Sequence, residues 1–327
     1  MSVGSELLLE PGAAAVETVE VVPGEVTARS PTQLFWRRFR SDRVAMVSLG
    51  FIVLLVLVAL LAGPIVSLLG VSGPNQPNIG ALDVFGQPTG PSAAHPFGVD
   101  ELGRDVLARV IYGARVSLEV AFIATGIAVV IGVAIGTVAG YFRGWADSLL
   151  SRLMDIVLAF PILLLAIGLA AACSLGKGCL GGLITPGQVT LIVVIALSSW
   201  PYIGRIIRGQ VLSIREKEFI EAARSLGASN SRIMTREILP NLVAPIIVYT
   251  SLILPTNILY EAALSFLGVG VQPPTASWGQ MIADASGIFN TAWWYMVFPG
   301  VALVLTVLAF NLVGDGLQDA LNPKAGR

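Results

Sequence analysis

Long neutral stretches dominate the pattern of hydrophobic and polar positions along the chain. Gaps between consecutive charged side chains run over residues 44–82, 120–142, 156–176, 178–204, 238–260 and 285–314, and each accommodates the roughly 20 apolar residues of a spanning helix. A further neutral gap, 262–283, contains "VQPPTASWG", whose paired prolines and polar residues break a span, so it reads as a loop. The pattern therefore predicts an all-α, polytopic membrane protein. Six transmembrane helices are expected, at 44–69, 117–141, 149–173, 188–208, 241–268 and 293–313.

Composition agrees with this reading. The 327 residues are 55% hydrophobic and 13% charged with a formal net charge of -1, and the mean hydropathy is +0.79, outside the range of soluble domains. Basic loops resist translocation, so the side richer in lysine and arginine marks the cytoplasm. With the N-terminus inside, Arg29, Arg37, Arg38, Arg40, Arg43, Arg143, Arg152, Arg205, Arg208, Arg215, Lys217, Arg224, Arg232, Arg236, Lys324 and Arg327 are cytoplasmic or close to that interface. Only Arg104, Arg109, Arg115 and Lys177 fall outside, which places both termini in the cytoplasm.

Residues 1–33 are acidic and poor in aromatics and read as a disordered tail. The first apolar run follows "WRRFRSDR" and is too long for a cleavable signal core, so it reads as a retained anchor. Segment 34–116 then comprises the first span and an extracytoplasmic portion, 117–314 a five-helix core, and 315–327 a cytoplasmic tail.

Ala124, Ala128, Gly132, Gly136 and Gly140 recur every fourth residue in the second helix. They line one face with small side chains that let another backbone approach, either within the chain or in a partner. Pro161, Pro201, Pro245, Pro255 and Pro299 are expected to bend the later helices. Intramembrane carboxylates are few and sit near helix ends: Glu119, Asp155 and Glu261. Glu261 is a candidate for the outer part of a translocation path, with a structural hydrogen-bonding role as the alternative.

Cys173 and Cys179 bracket "SLGKG" in the predicted outer loop; the spacer permits a disulfide, and two small helix-end residues is the competing reading. In the extracytoplasmic portion, "HPFGVDELGRDVLARVIYGARVSL" carries a partial apolar stripe that predicts a short interfacial helix. It also holds His95, the single histidine, so a metal site of usual spacing is not expected. No phosphate-binding G-x-x-x-x-G-K-[ST] loop, H-E-x-x-H pair or G-x-S-x-G elbow is present. The chain is therefore expected to have no catalytic site and no cofactor of its own, and no nucleic-acid partner.

One charged, helix-friendly island remains, "EFIEAARSLGASNSRIMTREILPN" at 218–241. Ser213 followed by Glu216 has the spacing of a capping box. Phe219, Ala222, Ala223 and Leu226 share one helical face. Gly227 stands where a left-handed turn is needed, and Ser229 can cap the helix that follows, which carries Ile233, Met234 and Ile238 until Pro240 breaks it. A bent amphipathic elbow of this kind fits a groove on another protein.

"EAARSLG" and, nine residues on, "EILP" resemble the EAA loop of permease subunits of binding-protein-dependent ABC importers, with Glu237 standing where isoleucine is usual. "GYFRGWADSLLSRLMDIVLAFP", "EAALSFLGVGVQPPTASWGQMI" and "NLVGDGLQDALNP" are similar to the C-type permease of the dipeptide, oligopeptide and nickel importers, over roughly residues 30–323. The resemblance implies a type I importer permease fold in the bacterial inner membrane, with an EAA coupling loop at about 209–240. Phe219, Glu221, Ala222, Ala223, Leu226 and Gly227 would then couple to two ATPase domains, which bind ATP and magnesium. A homologous B-type permease, an extracytoplasmic solute-binding protein and membrane lipid are the other implied partners. Di- or oligopeptides are the implied substrates, with nickel or another small solute as the alternative and an ion-coupled secondary transporter as a distant one.

Overall fold

The computed structural model describes residues 31–174, 179, 184 and 187–321. In chain order the helices are α1 (Pro31–Ser41), α2 (Arg43–Leu60), α3 (Ala62–Leu68), α4 (Val106–Tyr141), α5 (Trp145–Ala159), α6 (Ile162–Ser174), α7 (Gln188–Ile214), α8 (Glu218–Ser225), α9 (Asn230–Arg232), α10 (Leu239–Phe266), α11 (Trp278–Ser286) and α12 (Trp293–Leu321). A π-helical stretch, Ile233–Ile238, joins α9 to α10 without interruption. Five helices are long and apolar enough to cross a membrane, and the pair α5 and α6 makes a sixth, broken span.

The expected spans are all found, but several extend further than hydropathy shows. Helix α4 starts at Val106, so the short helix expected ahead of 117 is continuous with it. Its start is fixed by Asp105, whose carboxylate accepts from Ala108 N at 2.9 Å and from His95 Nδ1 at 2.8 Å. Arg109 lies within the first turns, buried beside Asp100 at 3.5 Å and donating to Pro74 O at 3.1 Å. At the other end, α12 runs on through Asp315 and Asp319 to Leu321, into the segment expected to be a tail. Likewise Pro31–Gln33, at the edge of the expected N-terminal tail, belong to α1; the remainder of that tail lies outside the described residues.

The third span breaks at Phe160–Pro161, where α5 and α6 meet at 87°. Phe160 adopts extended backbone (φ -86°, ψ 140°), the conformation that a following proline ring imposes. Pro201, Pro245, Pro255 and Pro299 instead lie inside continuous helices.

Helix α7 is the most enclosed: 67% of its most apolar stretch is buried, against 22% in α2. The small-residue face of α4 packs against α7 within the chain, which settles where the seam lies. A Cβ on Gly136 would stand 2.5 Å from Gly204 O, one on Gly132 2.8 Å from Trp200 O, and one on Gly140 2.7 Å from Val211 Cβ. Where α4 and α7 cross the buried layer, Ser199 Oγ donates to Asn257 Oδ1 (2.9 Å) and Asn257 Nδ2 to Thr125 Oγ1 (2.8 Å), tying α7, α10 and α4 together.

The seam gives a paired test. Gly136→Ala has no room and is expected to cost about 1–3 kcal/mol of stability, as overpacking does. Gly126→Ala, on the same helix with nothing within 4 Å of the added Cβ, is expected to be neutral or slightly stabilising. Thermal unfolding of the two purified variants in detergent measures the difference.

Candidate functional site

The elbow at 215–238 is built from the ends of α4 and α7. The last carbonyls of a helix have no partner of their own, and here Arg215, mostly buried, donates from Nη1 to Gly140 O (2.7 Å) and Tyr141 O (3.3 Å) at the end of α4. Its positive charge also complements the negative end of that helix. Glu216 pairs with Arg143 and, at 3.2 Å, with Arg215 Nε. The Arg143 charge, with Arg215 beside it, holds the Glu216 carboxyl below the usual carboxylate range. The pair is thus intact at neutral pH. Its small contribution is present above the ordinary carboxylate value and is lost only as pH falls through the lowered one.

This arrangement replaces the capping box expected of Ser213 and Glu216. Ser213 remains in the last turn of α7, the residue before α8 is Lys217, and no side chain caps α8. Two remote arginines outcompete the local bond for Glu216.

Helix α8 is anchored by Ile220, fully buried among Ile233, Ile238, Ile207 and Val211, with Ala223 half-buried beside it. Its C-terminus closes as a Schellman turn. Ala228 N donates to Ala223 O (3.0 Å), Gly227 N donates to Arg224 O (2.9 Å), and Gly227 takes φ +79°. Ser229 then caps α9 through Arg232 N. Tyr141 fastens the turn from the α4 side: its hydroxyl donates to Asn230 Oδ1 (2.8 Å), and the Arg224 guanidinium lies 5.5 Å from its ring centre.

Pro240 does not break the chain as expected. It lies in the first turn of α10, and the π-helical stretch before it supplies a wider turn, with Leu239 N bonding to Met234 O. A regular helix would turn Ile238 well away from Ile233; the extra residue in the turn brings both onto the buried face.

The stripe expected from Phe219, Ala222, Ala223 and Leu226 is therefore divided. Ala223 turns toward the bundle. Phe219 (42% exposed), Ala222 and Leu226 (88% exposed) form an outward apolar ridge, flanked by exposed Glu218 and Glu221, with Gly227 at its end. Ile220 is the anchor that the stripe reading missed; its spacing of three from Ala223 was the available signal.

A second feature is a cavity of about 420 Å³ between α6, α7 and α10. Tyr202, Tyr249 and Tyr260 supply its hydroxyls with Ser199 and Thr256, the rest is aliphatic, and no charged side chain lines it. Glu261 is not part of this wall. It is fully buried, and its Oε1 accepts from Ser265 Oγ at 2.9 Å, the structural role set out as the alternative. Glu119 is exposed, and Asp155 pairs with Arg205 at 2.5 Å. Cys173 and Cys179 are joined by a disulfide across a Cα separation of 4.7 Å.

Residues 132–327 match the family described as the binding-protein-dependent transport system inner membrane component, and residues 30–82 match the N-terminal transmembrane domain of oligopeptide transport permease C. The chain is 41% identical over 300 residues to a dipeptide transport system permease protein, DppC, from Alkalihalophilus pseudofirmus, covering 92% of each chain. It is 42% identical over 304 residues to a glutathione transport system permease protein, GsiD, from Escherichia coli, covering 93% of each. Among solved structures it is similar to a chain of the inward-facing methionine ABC transporter MetNI. The TM-score is 0.55 at 22% identity, covering 66% of this chain and 97% of that one, a likeness of fold.

The carbonyl clamp is testable apart from function. Arg215→Met leaves Gly140 O without its donor and is expected to cost roughly 1–3 kcal/mol. Amide hydrogen exchange should then rise in α8 and in the turn at 226–229. Arg143→Gln, which breaks only the exposed pair to Glu216, should leave that exchange unchanged.

Proposed function

The chain belongs to the family of binding-protein-dependent transport system inner membrane components, and from that premise we propose that it is the ABC importer permease subunit through which di- or oligopeptides cross the bacterial inner membrane. The arginine-rich end of the bundle faces the cytoplasm in this reading, with both termini there. A homologous B-type permease completes the path, an extracytoplasmic binding protein delivers the solute, and two ATPase domains, which bind ATP and magnesium, dock on the elbow.

The observation that carries the coupling role is the apolar ridge of Phe219, Ala222 and Leu226, exposed on a helix that is itself immobilised. An isolated exposed apolar residue means little; three on one face of a clamped helix make a docking edge. Through Ile220, Arg215 and Tyr141, any displacement of the ridge is passed to the ends of α4 and α7 as a rigid-body movement. Closure of the ATPases on nucleotide would then rock these helices between inward- and outward-open arrangements. That requires the ridge to make different contacts in the two states.

Support for a peptide substrate comes from the names of the dipeptide and glutathione permease relatives and from the cavity. Tyrosine, serine and threonine hydroxyls can both donate to and accept from backbone amides. A wall without fixed charge tolerates side chains of either sign. The same wall offers no carboxylate, imidazole or thiolate, a poor fit for a bare metal cation.

Transport in proteoliposomes of the complete complex tests the reading. Uptake of a dipeptide should cease when the phosphate-loop lysine of the ATPase is replaced, and it should survive a proton uncoupler; the opposite pattern would establish an ion-coupled carrier. Leu226→Asp is expected to leave the fold intact, because the side chain is exposed, and to weaken ATPase co-purification by at least about tenfold. Gly227→Val has space for its side chain but not the backbone conformation. It should lower both transport and ATPase retention without affecting membrane insertion.

A further inference from the structure

Helix α1 is attached to the bundle by one face only. Phe39 is buried against α12, where a Cβ on Gly316 would lie 3.5 Å from the Phe39 ring and 2.5 Å from Ala45 Cβ. Phe35 stacks on Phe39 with ring centres 6.0 Å apart. The opposite face carries Trp36, Arg37 and Arg40 at helical spacing, all exposed, around a shallow groove. Arg40 lies over the Trp36 indole at 5.5 Å from the ring centre, which holds the guanidinium in place and leaves its N–H edge free to donate.

Neither Arg37 nor Arg40 has a carboxylate within ion-pair distance among the described residues. Asp42, the nearest acid in sequence, is committed as the cap of α2, accepting from Val44 N and Ala45 N. Helix α1 leads into the first span after a single residue, so its outward face stands at the edge of the hydrocarbon layer, where an indole is at home.

We propose that the Trp36–Arg37–Arg40 face binds the phosphate of an anionic phospholipid. The two guanidiniums donate to phosphate oxygens, the bidentate geometry for which arginine is suited, while Trp36 and the exposed Leu34 rest on the glycerol and upper acyl region. Because the back of α1 is fixed on α12, the site is a rigid shelf against the bundle and selects lipid without reordering the helix.

The experiment uses the full chain with its partner subunits in nanodiscs of equimolar phosphatidylglycerol and phosphatidylcholine, and counts retained lipids by native mass spectrometry. The wild-type complex should retain phosphatidylglycerol in preference. Arg37→Gln with Arg40→Gln should reduce that preference by about 30-fold, the change given by about 1 kcal/mol for each arginine near an anionic surface. Arg152→Gln with Arg236→Gln, exposed arginines elsewhere on the same end, should change it by less than about threefold on the same scale.

No preference in the wild type, or equal loss from both pairs, would overturn the site. So would a preference that appears only after deletion of residues 1–30, which would give the groove to that acidic segment. Lipid counting is independent of transport, so failure here leaves the permease reading to its own test.

Discussion

The close approach of α4 and α7 is the constraint on which the rest depends. Lipid is as apolar as leucine, so helices in a bilayer gain little by burying hydrocarbon against one another; they gain from packing and from hydrogen bonds. Gly132, Gly136 and Gly140 let the α4 backbone meet the backbone of α7 at Trp200, Gly204 and Arg208. With the two helices held this tightly, their ends arrive together. Only then can Arg215, after the end of α7, reach the carbonyls of Gly140 and Tyr141, and only then can Tyr141 reach Asn230 beyond the turn. The rigidity of the elbow is inherited from a seam that begins far from it in the bundle.

The same pair of helices anchors the more loosely built wall of the cavity. Helix α5 is held to α7 by charge: Arg208 meets both carboxylate oxygens of Asp147, at 2.6 and 2.9 Å, and Arg205 meets Asp155. Beyond the 87° bend, α6 packs on α7 through apolar contacts that include Ala166 and Ala170. The wall made by α7 and α10 is fixed by the buried Ser199–Asn257–Thr125 chain, in which every link joins two different helices. A cavity with one hydrogen-bonded wall and one bent, apolar wall can change width by movement of the latter, without leaving buried polar groups unsatisfied.

Much of this was legible in the sequence because it follows from local requirements. Hydropathy located every span, and Gly227 announced a left-handed turn because no other residue enters that conformation without penalty. What was not legible depends on partners remote in the chain. Charged residues ended the predicted helices at 117 and 313, yet Arg109 is housed by Asp100 and Pro74, and α12 continues through Asp315. The Ser213–Glu216 spacing was read as a cap, yet Arg143, far earlier in the chain, takes the carboxylate. Whether Glu261 faces a path or a packed interior turns on the neighbours of α10, which periodicity along one helix does not reveal.

The division of the α8 stripe shows why rigidity and exposure occur together. A docking edge that must transmit force loses effect if it yields, and a flexible apolar edge would collapse onto the bundle and bury itself. Ile220 fills the inward position that Leu226 would otherwise seek, while the Schellman turn at Gly227 and the Tyr141 contacts keep Leu226 from folding back. The ridge also consists of side chains with few rotamers to lose, two of its three members being alanine and phenylalanine, so ordering on contact costs little. The local strain-free glycine turn and the remote α4–α7 seam thus serve one end: an apolar edge that stays outside the bundle and moves only when the bundle moves.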